Sequence, residues 1–359
     1  MRGTPEQRAA IADREGSSLL AAGAGSGKTA VMVERFAEAV LRDGVAVGAI
    51  LTLTFTEKAA AELRERIRRR FAELGEMEHA RAVDAAWIGT IHGFCARVLR
   101  SRPLAAGLDP RFGVLDEAAQ RRLAAEAFEA ALETWTAAQG NPAVDLAAAY
   151  GRELEPMVTG AHATLRSRGA AHPRLPVPPP QPPPDPAPLA AAAAAAAAGL
   201  ATAGAGVRVG QARDALEAAE RIATAGGAPP LPGALDAAKL GSGAKALEAP
   251  ACAAYREAWA AYREASASYH AQPALALLDA LLDAFGTAYA AAKSARAAVD
   301  FDDLELRVRD LLADPAQRAR WAERFALIMV DEFQDTNRLQ LDVLEALERD
   351  NLFAVGDEA

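Results

Sequence analysis

The sequence predicts an α/β protein built on a doubly wound parallel sheet with a large, mostly helical insertion, and three observations carry that expectation. Apolar runs of strand length alternate with segments of helical period toward both ends of the chain, the pattern of a parallel sheet with helices on its faces. One run, Ser18-Leu19-Leu20-Ala21, leads straight into Ala22-Gly23-Ala24-Gly25-Ser26-Gly27-Lys28-Thr29 and then an amphipathic segment through Val31, Val33, Phe36 and Val40. Another, Leu327-Ile328-Met329-Val330, ends on the acidic pair Asp331-Glu332. A strand, a glycine-rich turn and a helix opened by Lys-Thr form a phosphate-binding loop, so the expected class is that of P-loop NTPases.

Taken in order, Thr4-Pro5-Glu6-Gln7 reads as a helix start, with Thr4 as N-cap, Pro5 in the first turn and Gln7 as the capping-box partner. After the phosphate loop and its helix, Ala49–Phe55 reads as a buried strand; Thr56 caps a helix from Glu57 to about Phe71. Ala86-Trp87-Ile88-Gly89 is a third strand, leading into a helix at Thr90-Ile91-His92-Gly93-Phe94-Cys95. Two further strands follow much later, Leu327–Val330 and Leu352–Val355. Between Phe112 and Val299 helical periodicity dominates, interrupted by the proline-dense His172–Pro188 and an alanine tract, Ala190–Ala198. The proline segment is expected to be an extended or disordered connector, and the alanine tract a helix with no second face to pack. The expected division is 1–111 and 300–359 as two halves of one ATP-binding domain, and 112–299 as an inserted helical subdomain with a Pro/Ala-rich linker at about 172–198.

At 359 residues and 51% apolar composition the chain has room for two or three globular domains. No apolar run free of turns and charges suggests a membrane span, and Met1-Arg2-Gly3-Thr4-Pro5 lacks a signal-peptide core. Cys95 and Cys252 offer neither zinc spacing nor a disulfide framework, which fits a cytoplasmic location. A net charge of −9 argues against a wholly basic nucleic-acid binder while leaving room for a local basic groove.

The loop's chemistry follows from its residue types. Glycines let backbone N–H groups turn onto phosphate oxygens; Lys28 would pair with the β- and γ-phosphates of ATP, and the Thr29 hydroxyl would hold Mg²⁺. Ala22 stands where the strict pattern has glycine. At the far strand end, Asp331 would hold Mg²⁺ and Glu332 would orient the attacking water. The basic stretch Arg64, Arg66, Arg68, Arg69 and Arg70 reads first as a solvated face, since Glu62–Arg66 and Glu65–Arg69 are i, i+4 pairs. Helix capping likewise accounts for the aspartates of Asp300-Phe301-Asp302-Asp303-Leu304.

Ala22–Thr29 together with Asp331-Glu332-Phe333-Gln334-Asp335 resembles the UvrD/Rep-like branch of superfamily I DNA helicases. Thr54-Phe55-Thr56-Glu57-Lys58-Ala59-Ala60 resembles that family's motif Ia, and Val355-Gly356-Asp357-Glu358 the start of motif III. Thr90-Ile91-His92-Gly93-Phe94-Cys95 resembles motif Ib in the form seen in AddA- and RecB-type repair proteins. The motifs occur in family order and cover about Thr4–Leu115 and Asp300–Ala359; the middle of the chain carries none of them.

The resemblance implies a RecA-like motor domain that uses ATP and Mg²⁺, with Ala22 to Thr29 as the ATP loop and Lys28, Asp331 and Glu332 as the catalytic set. It implies that Gln7 reads the adenine edge, that Phe55 stacks on bases, and that Thr54, Thr56, Thr90 and His92 contact the backbone of single-stranded DNA. The implied activity is 3′-to-5′ translocation and unwinding of single-stranded or duplex DNA in double-strand break repair, alongside an AddB-like partner and without a membrane. The chain stops within motif III, ahead of the family's γ-phosphate-sensing glutamine and of the second motor domain that carries the arginine motifs; the expectation is a fragment unable to unwind DNA by itself. Two other readings stand beside this one: a truncated, non-catalytic nucleotide- or DNA-binding module, and another P-loop NTPase such as a transporter or partition ATPase. The Asp331–Asp335 run and the lack of an LSGGQ-type signature count against the last.

Overall fold

The computed structural model describes residues 4–14, 16–21, 23, 27–204 and 206–357. In chain order the elements begin with α1 (Pro5–Ala12), β1 (Ser18–Ala21), α2 (Lys28–Leu41), β2 (Ile50–Thr54), α3 (Glu57–Glu73), α4 (Met77–Ala82), β3 (Trp87–Thr90) and α5 (Ile91–Ser101). They continue with β4 (Gly113–Val114), α6 (Glu117–Gln139), α7 (Asn141–Tyr150), α8 (Leu154–Ser167), α9 (Ala187–Leu200), α10 (Val207–Thr224), α11 (Pro250–Ala295) and β5 (Ala298–Val299). The last part holds α12 (Phe301–Ala313), α13 (Pro315–Arg324), β6 (Leu327–Val330), α14 (Arg338–Leu347) and β7 (Leu352–Gly356). Two compact units result: Met1–Ala131, Glu155–Pro173 and Phe285–Ala359 form the first, Leu132–Leu154 and Arg174–Ala284 the second.

The first unit is α/β, with a parallel five-stranded sheet in the order β1-β7-β6-β2-β3. Side chains alternate across a strand, so a strand buried on both faces supplies two cores. Ile50, Met329, Phe353 and Val355 pack on one face with Met32 and Phe36 of α2 and with Leu63, Ile67 and Phe71 of α3. Leu51, Leu53, Ile328 and Val330 pack on the other with Phe94 and Leu99 of α5, Leu304 and Val308 of α12, and Val343 and Leu344 of α14. Each fully buried side chain of this size stabilises the fold by roughly 1.5–3 kcal/mol. The strand order, which periodicity alone does not contain, sets β6 and β7 between β1 and β2.

Where the chain leaves for its long helical stretch and where it returns, β4 and β5 pair in parallel, Gly113 opposite Ala298 and Val114 opposite Val299. Residues 112–131, 155–173 and 285–299 of that stretch belong to the first unit.

The second unit corrects the reading of the alanine tract. Leu189, Ala193, Ala196 and Leu200 form one buried face of α9 and pack with Ala212, Leu216 and Ala219 of α10 and with Tyr255. A stripe of small residues is a packing surface in its own right, because it lets two helices approach closely and gather dispersion contacts. The proline segment has no regular secondary structure, as expected, but it is tied down. Arg174 Nε lies 2.9 and 3.0 Å from the two carboxylate oxygens of Asp279, and the Leu175 amide donates to Asp279 Oδ1 at 2.8 Å. The Arg174 hydrogen bond holds the Asp279 carboxyl below the usual carboxylate range.

Although no run free of turns and charges is expected to span a membrane, α11, which carries Asp279 and Asp283, is long and apolar enough by length and composition to cross a bilayer. A core helix of a globular protein passes the same test, and Cys252, Tyr255 and Tyr262 of α11 lie in the apolar cluster of the second unit.

The α9–α10 seam yields a stability test. Ala196→Leu should overpack it and cost about 1–3 kcal/mol, whereas Ala195→Leu, on the exposed face, should stay within about 0.5 kcal/mol of the parent. Urea denaturation of the two variants measures the contrast; equal effects would mean that the seam is not tightly packed.

Candidate functional site

Because the sheet is parallel, the carboxyl ends of its five strands open along one edge, and Lys28, Phe55, His92, Asp331 and Glu332 follow those ends in the chain. Of the phosphate loop expected from the sequence, Gly23, Gly27, Lys28 and Thr29 are described, while Ala22, Ala24, Gly25 and Ser26 lie outside the described residues, as does Glu358. Gly27 is the N-cap of α2 in the left-handed region (φ 84°, ψ 21°), a conformation that favours glycine, and Lys28 and Thr29 occupy the first turn. A Cβ at Gly27 would lie 3.1 Å from Gln7 Nε2.

Gln7 therefore sits against the end of the loop while forming the capping box of α1. Its amide donates to Thr4 Oγ1 at 3.2 Å, and its Oε1 accepts from the Thr4 amide at 2.9 Å. Lys28 Nζ pairs with Asp357, the residue after β7. The Asp357 hydrogen bond, then the nearby charges of Asp357, Glu332 and Asp331, raise the lysine's pKa against the opposing effect of burial.

The acidic loop is built from β6 outward. All four residues of β6 are buried, and the Asp331 amide continues the ladder by donating to Leu53 O at 2.9 Å. The chain then turns through Glu332 in the left-handed region (φ 53°, ψ 44°), which costs a non-glycine residue about 1–2 kcal/mol. Asp331 Oδ1 accepts from the Glu332 amide at 3.1 Å. Burial first, and the adjacent Glu332 charge second, raise the Asp331 carboxyl above its ordinary pKa; the Glu332 amide and Lys28 oppose them.

Gln334 completes the loop, donating through Nε2 to Glu332 Oε2 at 2.8 Å and accepting at Oε1 from the Asp357 amide at 2.9 Å. A Cβ at position 356 would stand 2.6 Å from that Oε1, so Gly356 lets the glutamine in. Gln334 thereby links Glu332 to the residue that holds Lys28.

Among the described residues no group of three or more His, Cys, Asp or Glu could hold a metal ion. Mg²⁺ needs no such cage: it takes one or two carboxylates and fills its remaining positions with water and phosphate oxygens. The Asp331 carboxylate, crowded by Glu332 and raised in pKa, and the Thr29 hydroxyl at the start of α2 are donors of the required hard-oxygen type.

Farther along the same edge, Phe55 follows β2 and is 57% exposed, unlike an ordinary core aromatic. Thr56 caps α3 through the Ala59 amide at 3.1 Å. Thr54 and Thr90, expected to touch DNA, are instead buried at 4% and 6% exposure. Thr54 Oγ1 donates to Thr56 O at 3.1 Å; Thr90 Oγ1 donates to Glu57 Oε1 at 2.7 Å and caps α5 by accepting from the Gly93 amide. Both hydroxyls are spent on the turns that present their neighbours.

His92 is half-buried, with its ring 4.7 Å from that of Phe301 and its Nε2 3.0 Å from Glu305 Oε1. The arginines of α3 are largely engaged, Arg66 with Glu62, Arg68 with Glu65 and Asp84, and Arg70 with Glu34 and Glu73. Glu65 thus meets Arg68 rather than Arg69.

Asp300 and Asp303 form the capping box of α12, as the sequence suggests, but their carboxylates do more. Lys293 Nζ lies 2.6 Å from each of them; Arg166 Nη2 lies 2.6 Å from Asp303 and 3.6 Å from Asp300. Sequence reasoning missed Glu305, Gln334 and Gln340 as connecting residues. The spacing of Phe301 and Glu305, which puts them on one face of a helix, and the box residues Asn337 and Gln340 were the available signals.

A family model for the UvrD/REP helicase N-terminal domain matches residues 3–359. The chain is 32% identical to the A-type polypeptide of the ATP-dependent helicase/nuclease of Desulforudis audaxviator, across 99% of this chain and 35% of that protein. It is 26% identical to the protein of the same name from Syntrophomonas wolfei, across 99% and 33%. The ATP-dependent DNA helicase UvrD1 of Mycobacterium bovis is 44% identical over 33% of this chain and 14% of that one. The chain thus spans about a third of the length of the helicase/nuclease relatives.

The aspartate cluster gives the first unit a pH signature. Burial, reinforced by the Asp300 charge and opposed by Arg166, raises the Asp302 carboxyl to about 6. A carboxyl raised above its unfolded value of about 3.9 contributes stability that is complete below that value and is lost as pH rises through the folded pKa. Relative to the parent, Asp302→Asn should remove a decline in stability between about pH 4 and about pH 6, read from thermal unfolding as a function of pH. An unchanged slope would assign the effect to another group.

Proposed function

Because the chain belongs to the UvrD/REP helicase N-terminal domain family, we propose that it is the RecA-like, P-loop motor domain of a DNA helicase. In this reading ATP hydrolysis drives 3′-to-5′ movement on single-stranded DNA and unwinding of the duplex. The observation that carries it is the strand order β1-β7-β6-β2-β3, in which β1, leading to Lys28, and β6, ending on Asp331 and Glu332, flank β7 with its Asp357, and exposed Phe55 follows β2, the next strand along the same edge.

In detail, Lys28 leaves Asp357 for the β- and γ-phosphates, backbone N–H groups at the start of α2 take the remaining phosphate oxygens, and Gln7 reads the adenine edge from beside Gly27. Thr29 and Asp331 would hold Mg²⁺, which when bound neutralises charge on the phosphates. Glu332, aimed by its left-handed turn and by Gln334, orients the attacking water and takes its proton. Phe55 stacks on bases, a contact worth about 1–3 kcal/mol per base and tolerant of sequence. Thr56 and His92 approach the DNA backbone while Thr54 and Thr90 shape that surface from beneath; Phe301, against His92, extends it.

The relatives named for a helicase/nuclease support a place in a longer helicase–nuclease with an AddB-like partner, acting in double-strand break recombination in the cytoplasm. Two buried free cysteines suit a reducing compartment.

The test uses the full-length protein. Glu332→Gln should lower the DNA-stimulated ATPase kcat by about 10²–10⁴-fold and Lys28→Ala should abolish it, while Phe55→Ala should weaken single-stranded DNA binding by about 1–3 kcal/mol. An ATPase that survives either of the first two changes sinks the assignment.

A further inference from the structure

We propose that Glu305 is a positioning residue that couples the DNA-facing surface to the acidic loop of the nucleotide site, a role that rests on the helicase reading above. Glu305 lies one turn after Phe301 on α12 and is 1% exposed. A buried carboxylate requires hydrogen-bonding partners, and helices are usually content to let such a residue face solvent. Here both partners come from other elements. A single oxygen, Oε1, lies 3.0 Å from His92 Nε2 and accepts from Gln340 Nε2 at 2.8 Å.

Each partner leads to one half of the proposed site. His92 is in the first turn of α5, directly after the end of β3, with its ring against Phe301. Gln340 is in the first turn of α14, the helix that opens directly after the acidic loop Asp331–Asp335. It forms the capping box with Asn337, donating its amide to Asn337 Oδ1 at 2.9 Å, and thereby fixes where that loop ends.

The helix that carries Glu305 is itself held. Asp300 and Asp303, at its start, are gripped by Lys293 and Arg166. With α12 clamped, a displacement of His92 by a bound strand must be absorbed at Oε1, where the other bond is the one to Gln340. Removing the carboxylate leaves the buried Gln340 Nε2 and the half-buried His92 Nε2 without their shared acceptor, whereas glutamine keeps an oxygen with two lone pairs for both.

The experiment compares ATPase kcat of the full-length protein with and without saturating oligo-dT, the ratio being the stimulation factor. Glu305→Ala should lower that factor at least about five-fold, the lower end of ordinary coupling between two sites, and Glu305→Gln should retain most of it. Gln340→Leu should reproduce the loss, with the double variant no worse than either single change, as residues in one path require. A factor that Glu305→Ala leaves at the parent value overturns the role. So do rates that fall in parallel with and without DNA, since a merely structural residue lowers both. If Glu305→Ala does not fold, Gln340→Leu decides alone, and an unchanged factor there overturns the proposal. A parent enzyme that DNA does not stimulate sinks the helicase reading and this role with it; a stimulated parent beside an equally stimulated variant sinks this role only.

Discussion

The pairing of β7 with β1 and of β6 with β2 is the constraint on which the first unit depends. These ladders take two strands from the end of the chain and set them between two from its beginning. Without them Lys28 has no Asp357, the acidic pair is not brought to the same edge as Lys28, and neither face of the sheet has a complete core. Closing so long a loop is less costly than its length suggests, because closure entropy grows logarithmically and each doubling adds only about 0.6 kcal/mol. The return is a sheet whose strand ends all open on one edge, so that chemistry divided between distant segments of the sequence is assembled by backbone hydrogen bonds alone.

The charges on that edge are unbalanced in a way that agrees with the proposed phosphate ligand and its metal. Asp331, Glu332 and Asp357 all act on Lys28. Burial and the neighbouring Glu332 push Asp331 up, so it is an uncomfortable carboxylate that a cation would relieve. Lys28, in turn, is occupied by a carboxylate that phosphate oxygens can replace. Glu332 adds a strained backbone held in place by Gln334 and by the space above Gly356. Strain and crowded like charges are what a fold discards wherever function does not retain them, and here they coincide at adjacent residues.

Much of this was legible beforehand, for local reasons. The strand Leu327–Val330 is where the apolar run placed it, and the capping boxes at Thr4–Gln7 and Asp300–Asp303 follow from short-range rules. What stayed hidden was non-local. No periodicity states that β6 lies between β7 and β2, and nothing near Thr54 or Thr90 reveals that their hydroxyls are consumed within the fold. The alanine tract misled for another reason: in a run of identical side chains the buried stripe is visible only through Leu189 and Leu200 at its ends, and α10 supplies a matching stripe of small residues.

The helical stretch is more than an appendage to the sheet. It leaves and re-enters beside itself through β4 and β5, yet Arg166 of α8 and Lys293 of α11 supply the cations that neutralise the aspartates at the start of α12. Breaking a buried ion pair by removing one partner costs about 3–5 kcal/mol, because the other charge is left stranded. The start of α12, and with it Phe301, is therefore held from one side by the helical stretch and from the other by the sheet's own core through Leu304 and Val308. The rigid support beneath this aromatic surface is thus assembled from both parts of the sequence.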